Sequence, residues 1–277
     1  MVSAPARTGQ RWQLGRPCSL PLLRTGVASS RFARVPGGIN EPPAPPLPKS
    51  LCIAYNLVCS KLYAESDGDL GRTGRIILVR HGETDGNRGT RRWLGWTDLS
   101  LNAHGVDQAE AVADALSGEH IAAIYSSDLR RSVETAERIA SRHSLPVCEQ
   151  SAFREVNYGE WEGLSEEECR SRDPELLLKR ESDPENTCPP GGESYREMME
   201  RFVPAVNEIR RKHANASAVL VTHHGNVRVL LCDVMQIPRS CYRSFGILNC
   251  SVTELVVLGD AFVVNRINGV AHLSIEE

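Results

Sequence analysis

From residue 75 onward, short apolar runs typical of strands alternate with segments whose apolar residues recur at helical spacing. The run Arg75–Arg80 (RIILVR) is short, branched and continuously apolar, which predicts a strand buried on both faces. Asn102 is a suitable N-cap for the helix that follows, whose apolar positions recur at helical spacing: Val106, Ala109, Val112, Ala113 and Leu116. Ile121–Ser127 (IAAIYSS) then predicts a second strand.

The same alternation continues to the C-terminal region. A second helix, for which Ser127 is a candidate cap, would bury Leu129, Val133, Ala136 and Ile139, and a third would bury Met198, Met199, Phe202, Val206 and Ile209. The pattern is completed by the segment Ala218–Gly225 (AVLVTHHG), in which a strand ends at Val221, by a helical stretch to about Gln236, and by strands at Cys250–Leu258 and Ala261–Ile267. Strands that alternate with helices predict an α/β sandwich.

Residues 1–72 have a different composition from the rest and form a predicted N-terminal extension. Residues 1–40 contain no acidic residue and six arginines: Arg7, Arg11, Arg16, Arg24, Arg31 and Arg34. This is typical of an organelle transit peptide, but a disordered extension fits equally, because Pro and Gly interrupt any long amphipathic helix. Residues 41–48 (EPPAPPLP) predict a Pro-rich spacer. We expect a plastid or mitochondrial location if the segment is a transit peptide, and a cytoplasmic one otherwise.

Composition excludes several classes of function. The 277 residues carry 32 Lys and Arg against 35 Asp and Glu, a net charge of -3 that argues against nucleic-acid binding. No apolar run approaches the roughly 20 residues that cross a bilayer, so no membrane association is expected. The nine cysteines include no C-x-x-C pair, which argues against structural zinc.

Polar residues follow three of the predicted strands, where ligands bind in open α/β sheets. Arg80 and His81 begin the first such loop, and Asn87 lies further along it. A second loop brings Arg130 and Arg131 near a helix N-terminus, which also favours anions, and the third begins with His223 and His224. Arginines and histidines from three loops could converge on one phosphate dianion, with Glu155 available to handle a proton.

The order and spacing of these residues resemble the phosphoglycerate-mutase-like branch of the histidine phosphatase superfamily over residues 75–257. The most specific element is R-H-G-E-T-x-x-N at residues 80–87, supported by Gly-Glu-Trp-Glu-Gly at residues 159–163 and Pro-Gly-Gly-Glu-Ser at 190–194. The resemblance implies a three-layer sandwich at residues 73–277, with a mostly parallel central sheet flanked by helices. It also implies a phosphatase that needs no metal and no organic cofactor.

The resemblance also implies a role for each matching residue. His81 would be the nucleophile that accepts the phosphoryl group, and Glu155 the proton donor, although Glu83, Glu160 and Glu162 are nearby carboxylates. The phosphate pocket would be formed by the catalytic His223 and by the substrate-binding residues Arg80, Asn87 and Arg131. In the family motif the arginine directly precedes a small residue, so Arg131, before Ser132, is preferred to Arg130. The family histidine lies five residues before an arginine, so His223, five residues before Arg228, is preferred to His224.

Three activities remain compatible with this set of residues. We expect a metal-independent phosphomonoesterase that acts on a small phosphorylated metabolite through a phosphohistidine. The resemblance makes a cofactor-dependent phosphoglycerate mutase less compatible, because mutases of that family carry a long insertion between these two positions that partly covers the substrate. Here only 68 positions separate Glu155 from His223, and residues 166–188 form a modest helical stretch. A catalytically silent phosphoester-binding protein is the third alternative.

Overall fold

A computed structural model of the chain describes residues 73–89 and 92–274. The predicted N-terminal extension, with the Pro-rich spacer and the candidate transit peptide, therefore lies outside the described residues. The strands are β1 (Arg75–Arg80), β2 (Ile121–Ser126), β3 (Val147–Glu149), β4 (Ser217–Thr222), β5 (Val252–Leu258) and β6 (Ala261–Gly269). The α-helices are α1 (Ala103–Leu116), α2 (Arg130–His143), α3 (Glu166–Arg172), α4 (Pro174–Ser182), α5 (Tyr195–Lys212) and α6 (His224–Val234).

The six strands form one mixed sheet in the order β3-β2-β4-β1-β5-β6. Strands β1 to β4 are mutually parallel, whereas β5 and β6 run antiparallel at one edge. β1 and β4 are in register from Arg75 opposite Ser217 to Arg80 opposite Thr222. Both strands therefore end at the same level, and the loops that follow them start side by side.

Alternate residues of β1 enter two separate hydrophobic clusters, which gives the described residues a three-layer structure. Ile76 and Leu78 pack with residues of α5 and α6 on one face of the sheet. Ile77 and Val79 pack with residues of α1 and α2 on the other. A strand with both faces covered has no polar face, which explains the uninterrupted apolar run in the sequence. The predicted α/β sandwich with a mostly parallel central sheet is confirmed.

Side-chain caps set the start of two helices, α1 and α5. The Asn102 side chain accepts a hydrogen bond from Gly105 N at 2.8 Å and begins α1, as predicted. At α5, the side chains of Ser194 and Glu197 cap each other's backbone N–H groups. The prediction of a Ser127 cap for α2 is wrong, since Leu129 occupies the N-cap position and makes no side-chain cap hydrogen bond.

The helical stretch predicted at residues 166–188 is present as two short helices, α3 and α4, and Pro174 begins the second at a position where proline is well tolerated. The three-residue strand β3 was missed, because its pattern is too short to give a period-2 signal. Among the described residues, no helix is both long and apolar enough to cross a membrane.

Candidate active site

His81 lies where β1 ends, directly beside the end of β4. Its backbone N–H donates to Thr222 O at 3.0 Å, and its side chain is 5% exposed. The ring Nδ1 is 2.7 Å from Gly82 O, and a carbonyl can only accept, so Nδ1 carries the proton. Nε2 then has a free electron pair, which accepts a hydrogen bond from Arg131 Nε at 3.3 Å. Burial, Arg131 and Arg80 hold the pKa of His81 well below its usual range, so the ring is neutral.

Arg131, in the first turn of α2, is the buried cation of the site. Its side chain is 1% exposed, and its two terminal nitrogens donate to Thr97 O and Gly95 O, each at 2.7 Å. Burial lowers the pKa of Arg131 to about 10, so the guanidinium stays charged at neutral pH. The adjacent Arg130 is exposed and pairs with Asp98 instead.

His223 follows β4 and occupies the N-cap position of α6, with a fully buried side chain. Its ring centroid is 5.2 Å from that of His81. Arg131 Nη2 lies 3.3 Å from its Nδ1, and Ser132 Oγ lies 3.4 Å from its Nε2. Burial and the nearby Arg131 and His81 hold the pKa of His223 well below its usual range. His81 and His223 are therefore two neutral rings that share one cation, Arg131.

Glu155 is 8% exposed, and both of its carboxylate oxygens are held by backbone donors. Oε2 accepts from Gly225 N at 2.8 Å, and Oε1 accepts from Val156 N at 3.0 Å. A Cβ atom on Gly225 would collide with this carboxylate, so Glu155 can keep this position only opposite a glycine. The Glu155 main chain is also fixed, because its carbonyl accepts from Trp96 Nε1 at 2.9 Å and Arg201 Nη2 at 2.8 Å.

Arg80 and Asn87 complete the set predicted from the sequence. Arg80 Nη1 donates to Ile247 O at 2.7 Å, which ties β1 to the loop before β5. Asn87 Oδ1 accepts from Thr84 N at 3.0 Å. Its Nδ2 is buried and has no hydrogen-bond partner among the described residues.

All six predicted site residues line one cavity of about 330 Å³, called here the catalytic cavity. Trp93 also lines it, whereas Trp96 packs against the guanidinium of Arg154 at 4.8 Å, behind Glu155. Since Arg80 and Arg131 are both cationic, the cavity suits an oxyanion. Within the described part of the chain, no cluster of His, Cys, Asp and Glu has the arrangement needed for a metal ion.

The three carboxylates that compete with Glu155 in the sequence lie outside the lining of the catalytic cavity. Glu83 accepts from Asn102 Nδ2 at 2.9 Å, and Glu160 is exposed and pairs with Arg172. Glu162 contacts the main chain, as described next.

Glu162 is a residue whose role sequence reasoning missed. Its Oε1 accepts from Trp96 N at 2.7 Å and Tyr158 N at 3.0 Å. Its Oε2 accepts from Thr97 N at 2.9 Å and Thr97 Oγ1 at 2.5 Å. Gly95 and Thr97, which orient Arg131 through their carbonyls, are therefore held by Glu162. Its place in Gly-Glu-Trp-Glu-Gly was the available signal, but the sequence offered it only as a rival to Glu155.

Arg201, on α5, is the second such residue. Its terminal nitrogens donate to the carbonyls of Ala152, Arg154 and Glu155 at 3.0, 2.8 and 2.8 Å. Its charge is paired with Glu193 at 2.5 Å. Arg201 therefore fixes the segment that carries Glu155, from an element 46 residues away along the chain.

Comparisons with known proteins agree with this geometry. Phosphoserine phosphatase 1 of Hydrogenobacter thermophilus is 32% identical over 199 residues, covering 72% of this chain and 94% of that protein. The metal-independent phosphoserine phosphatase of Arabidopsis thaliana is 34% identical over 205 residues, covering 72% and 83%. The native structure of a mycobacterial glucosyl-3-phosphoglycerate phosphatase matches with a TM-score of 0.65 and 30% identity, covering 72% of this chain and all of that one.

The model of the histidine phosphatase superfamily (branch 1) matches residues 76–269, which is more than half of the chain. The predicted family and the predicted class of enzyme, a phosphatase, are both confirmed. On the strength of the matched residues and of the site they form, this chain belongs to the histidine phosphatase superfamily.

Proposed function

We propose that the chain hydrolyses phosphomonoesters of a small metabolite through a phosphohistidine formed on His81. The observation that carries the proposal is the state of the His81 ring, whose Nδ1 proton is held by Gly82 O while Nε2 faces Arg131 in the cavity. A neutral imidazole with a fixed tautomer and an adjacent cation has what attack on a phosphoester requires.

In the first step, the electron pair of His81 Nε2 forms a bond to phosphorus, and the bond from phosphorus to the ester oxygen breaks. The leaving alkoxide takes a proton from the carboxyl group of Glu155. Arg80 and Arg131 offset the charge on the three transferring oxygens, which supplies most of the catalysis in phosphoryl transfer. Asn87 and His223 complete the phosphate pocket.

In the second step, water replaces the alcohol. The Glu155 carboxylate, now unprotonated, takes a proton from the water molecule, whose oxygen attacks the phosphohistidine. The bond from nitrogen to phosphorus breaks, inorganic phosphate leaves, and His81 Nε2 and the protonated Glu155 are regenerated. One carboxyl group therefore serves both steps.

The relatives support the class of substrate. Their names give phosphoserine and glucosyl-3-phosphoglycerate, both small phosphorylated metabolites, and each name specifies a phosphatase. We therefore favour transfer to water over transfer to a second hydroxyl, which is what a mutase would catalyse. A mutase would return an isomeric phosphate ester with no net release of phosphate.

The test measures inorganic phosphate released by the full chain from an aryl phosphate and from a panel of sugar, amino-acid and glycerate phosphates. His81→Asn should lower kcat by about 10⁴-fold or more, because it removes the nucleophile. His104→Asn is the matched control, since His104 is exposed on α1 and should leave turnover unchanged. An acid-labile phosphoenzyme should form in wild type and be absent from His81→Asn. Phosphate release that persists in His81→Asn would refute the proposal.

A further inference from the structure

A second cavity, of about 270 Å³, opens beside the catalytic cavity and is called here the adjoining cavity. Trp93, Tyr158 and His224 line both cavities, so the two cavities are direct neighbours. The adjoining cavity contains neither His81 nor Glu155. It extends instead toward Tyr195 and Tyr242, away from the residues that would hold the phosphoryl group. This is where the non-reacting part of a substrate would lie.

The charges along the adjoining cavity are strongly unequal. Three of its lining residues are arginines, Arg92, Arg228 and Arg243, and the acidic residue among the described lining is Glu166. The Glu166 carboxylate is paired with Arg170 at 2.9 Å, so its charge is partly offset from outside the cavity. The electrostatic balance of the cavity therefore favours an anionic group over a cationic one.

The aromatic part of the lining is neutral. Burial raises the pKa of Tyr158 and of Tyr195, so both hydroxyls keep their protons at neutral pH. Trp93 packs edge-on against Tyr158 with ring centroids 4.7 Å apart. These rings offer apolar surface to the carbon atoms of a ligand and add no negative charge that would oppose an anion.

Arg243 differs from the other two arginines in how it is held. Arg92 Nη1 donates to Gly163 O at 2.7 Å and Glu168 Oε2 at 3.1 Å, and Arg228 Nε donates to Phe245 O at 2.5 Å. Arg243 Nε donates to the Tyr242 hydroxyl at 3.0 Å. Among the described residues, nothing within hydrogen-bond distance accepts from its terminal Nη1 and Nη2.

We propose that the adjoining cavity is a leaving-group subsite in which Arg243 binds a carboxylate of the substrate. The inference rests on the proposed function and narrows it to phosphomonoesters of small hydroxy acids. The Tyr242 hydroxyl orients the guanidinium through Nε, and the two terminal nitrogens match the two oxygens of a carboxylate. The phosphoryl group of the same molecule then lies in the catalytic cavity.

Two probes that differ at one position test the proposal. 3-Phosphoglycerate carries a carboxylate where glycerol 3-phosphate carries a hydroxymethyl group. Wild-type full-length protein should hydrolyse 3-phosphoglycerate with the higher kcat/KM, and Arg243→Gln should lower this preference by roughly 10- to 100-fold, since a charge-assisted hydrogen-bonding pair is lost. Arg243→Lys should restore part of it. The control is Arg211→Gln, an exposed arginine at the end of α5 outside both cavity linings, which should leave the preference unchanged.

A binding measurement separates failure of this inference from failure of the proposed function. Titration calorimetry on His81→Asn, with and without Arg243→Gln, reports carboxylate recognition without turnover. Equal kcat/KM for the two probes in wild type, or equal losses for both in Arg243→Gln, would overturn the subsite. If wild type releases no phosphate, the proposed function fails, and the subsite then stands only if 3-phosphoglycerate binds more tightly than glycerol 3-phosphate and Arg243→Gln removes the difference.

Discussion

Replacing Glu162 by glutamine tests whether this carboxylate fixes the backbone turn that orients the Arg131 guanidinium. Glu162 lies outside the lining of the catalytic cavity and accepts four hydrogen bonds from Trp96, Thr97 and Tyr158. The carbonyls of Gly95 and Thr97 in the same turn accept from the terminal nitrogens of Arg131. Glu162→Gln keeps the size of the side chain and changes only its hydrogen-bonding character.

The magnitude follows from counting donors and acceptors. Each carboxylate oxygen of Glu162 accepts two hydrogen bonds, whereas the NH₂ of glutamine can only donate. In one orientation the NH₂ meets the N–H groups of Trp96 and Tyr158, and in the other it meets Thr97. One or two charge-assisted hydrogen bonds are lost at about 1.5–3 kcal/mol each, so the free energy of unfolding should fall by about 1.5–6 kcal/mol. For a domain of this size that lowers Tm by roughly 3–24 °C.

Activity should fall as well, because the turn that orients Arg131 loses its anchor. A displacement of about 1 Å at a catalytic group costs on the order of 100-fold in rate, so we expect kcat/KM to fall by about 10- to 100-fold. The matched control is Glu160→Gln, two residues away, where an exposed carboxylate pairs with Arg172 and should matter little. Tm by calorimetry and kcat/KM on one substrate are measured for both variants. If Glu162→Gln behaves like Glu160→Gln, the positioning role is wrong.

Three further predictions concern pH, a glycine and metal removal. The pKa values of His81 and His223 are lowered on folding, so below the usual value of 6.5 the unfolded chain binds more protons. The free energy of unfolding should therefore fall as the pH drops below about 6.5, by roughly 1.4 kcal/mol per pH unit for each histidine. Urea unfolding at pH 7.5 and 5.5 measures this loss, which should be smaller in His81→Asn than in wild type. Gly225→Ala should lower kcat, because the added Cβ would displace the Glu155 carboxylate. The control is Gly118→Ala, where a Cβ meets nothing within 4 Å and kcat should not change. Equal rates in the two variants would contradict the steric argument. Activity should survive EDTA, because arginines supply the charge that a metal would; loss of activity that added metal restores would contradict this.

The sequence predicted the structure best where a local apolar pattern defines a strand and that strand pairs with another one far along the chain. Arg75–Arg80 is apolar because alternate residues enter two clusters, and the predicted bounds of β1 equal the observed ones. Once β1 and β4 are taken as parallel neighbours, the residues after each strand must lie together. The proximity of His81 and His223, 142 residues apart in sequence, follows from that topology alone.

The supporting residues were harder to predict, for a physical reason. Glu162 and Arg201 contact backbone N–H and C=O groups, which almost every residue has, so the identity of their partners leaves no mark on the sequence. Trp96 lies 66 positions from Glu162, and nothing local links the two. The Arg243 position was missed for a similar reason, since its cavity is built from five separate segments of the chain.

The way Arg131 is held explains how one charge can serve two purposes. Among the described residues no carboxylate lies within salt-bridge distance of its guanidinium, which is oriented by the carbonyls of Gly95 and Thr97 instead. Carbonyl dipoles orient the guanidinium without a direct ion pair, and the carboxylates of Glu155, Glu162 and Asp98 act on its charge only from a longer distance. The same charge lies 3.3 Å from His81 Nε2 and disfavours protonation of the ring. A carboxylate in direct contact would weaken both this effect and the attraction for a phosphate dianion, and we infer that the backbone cradle is the feature that keeps the phosphate site cationic and the nucleophile neutral.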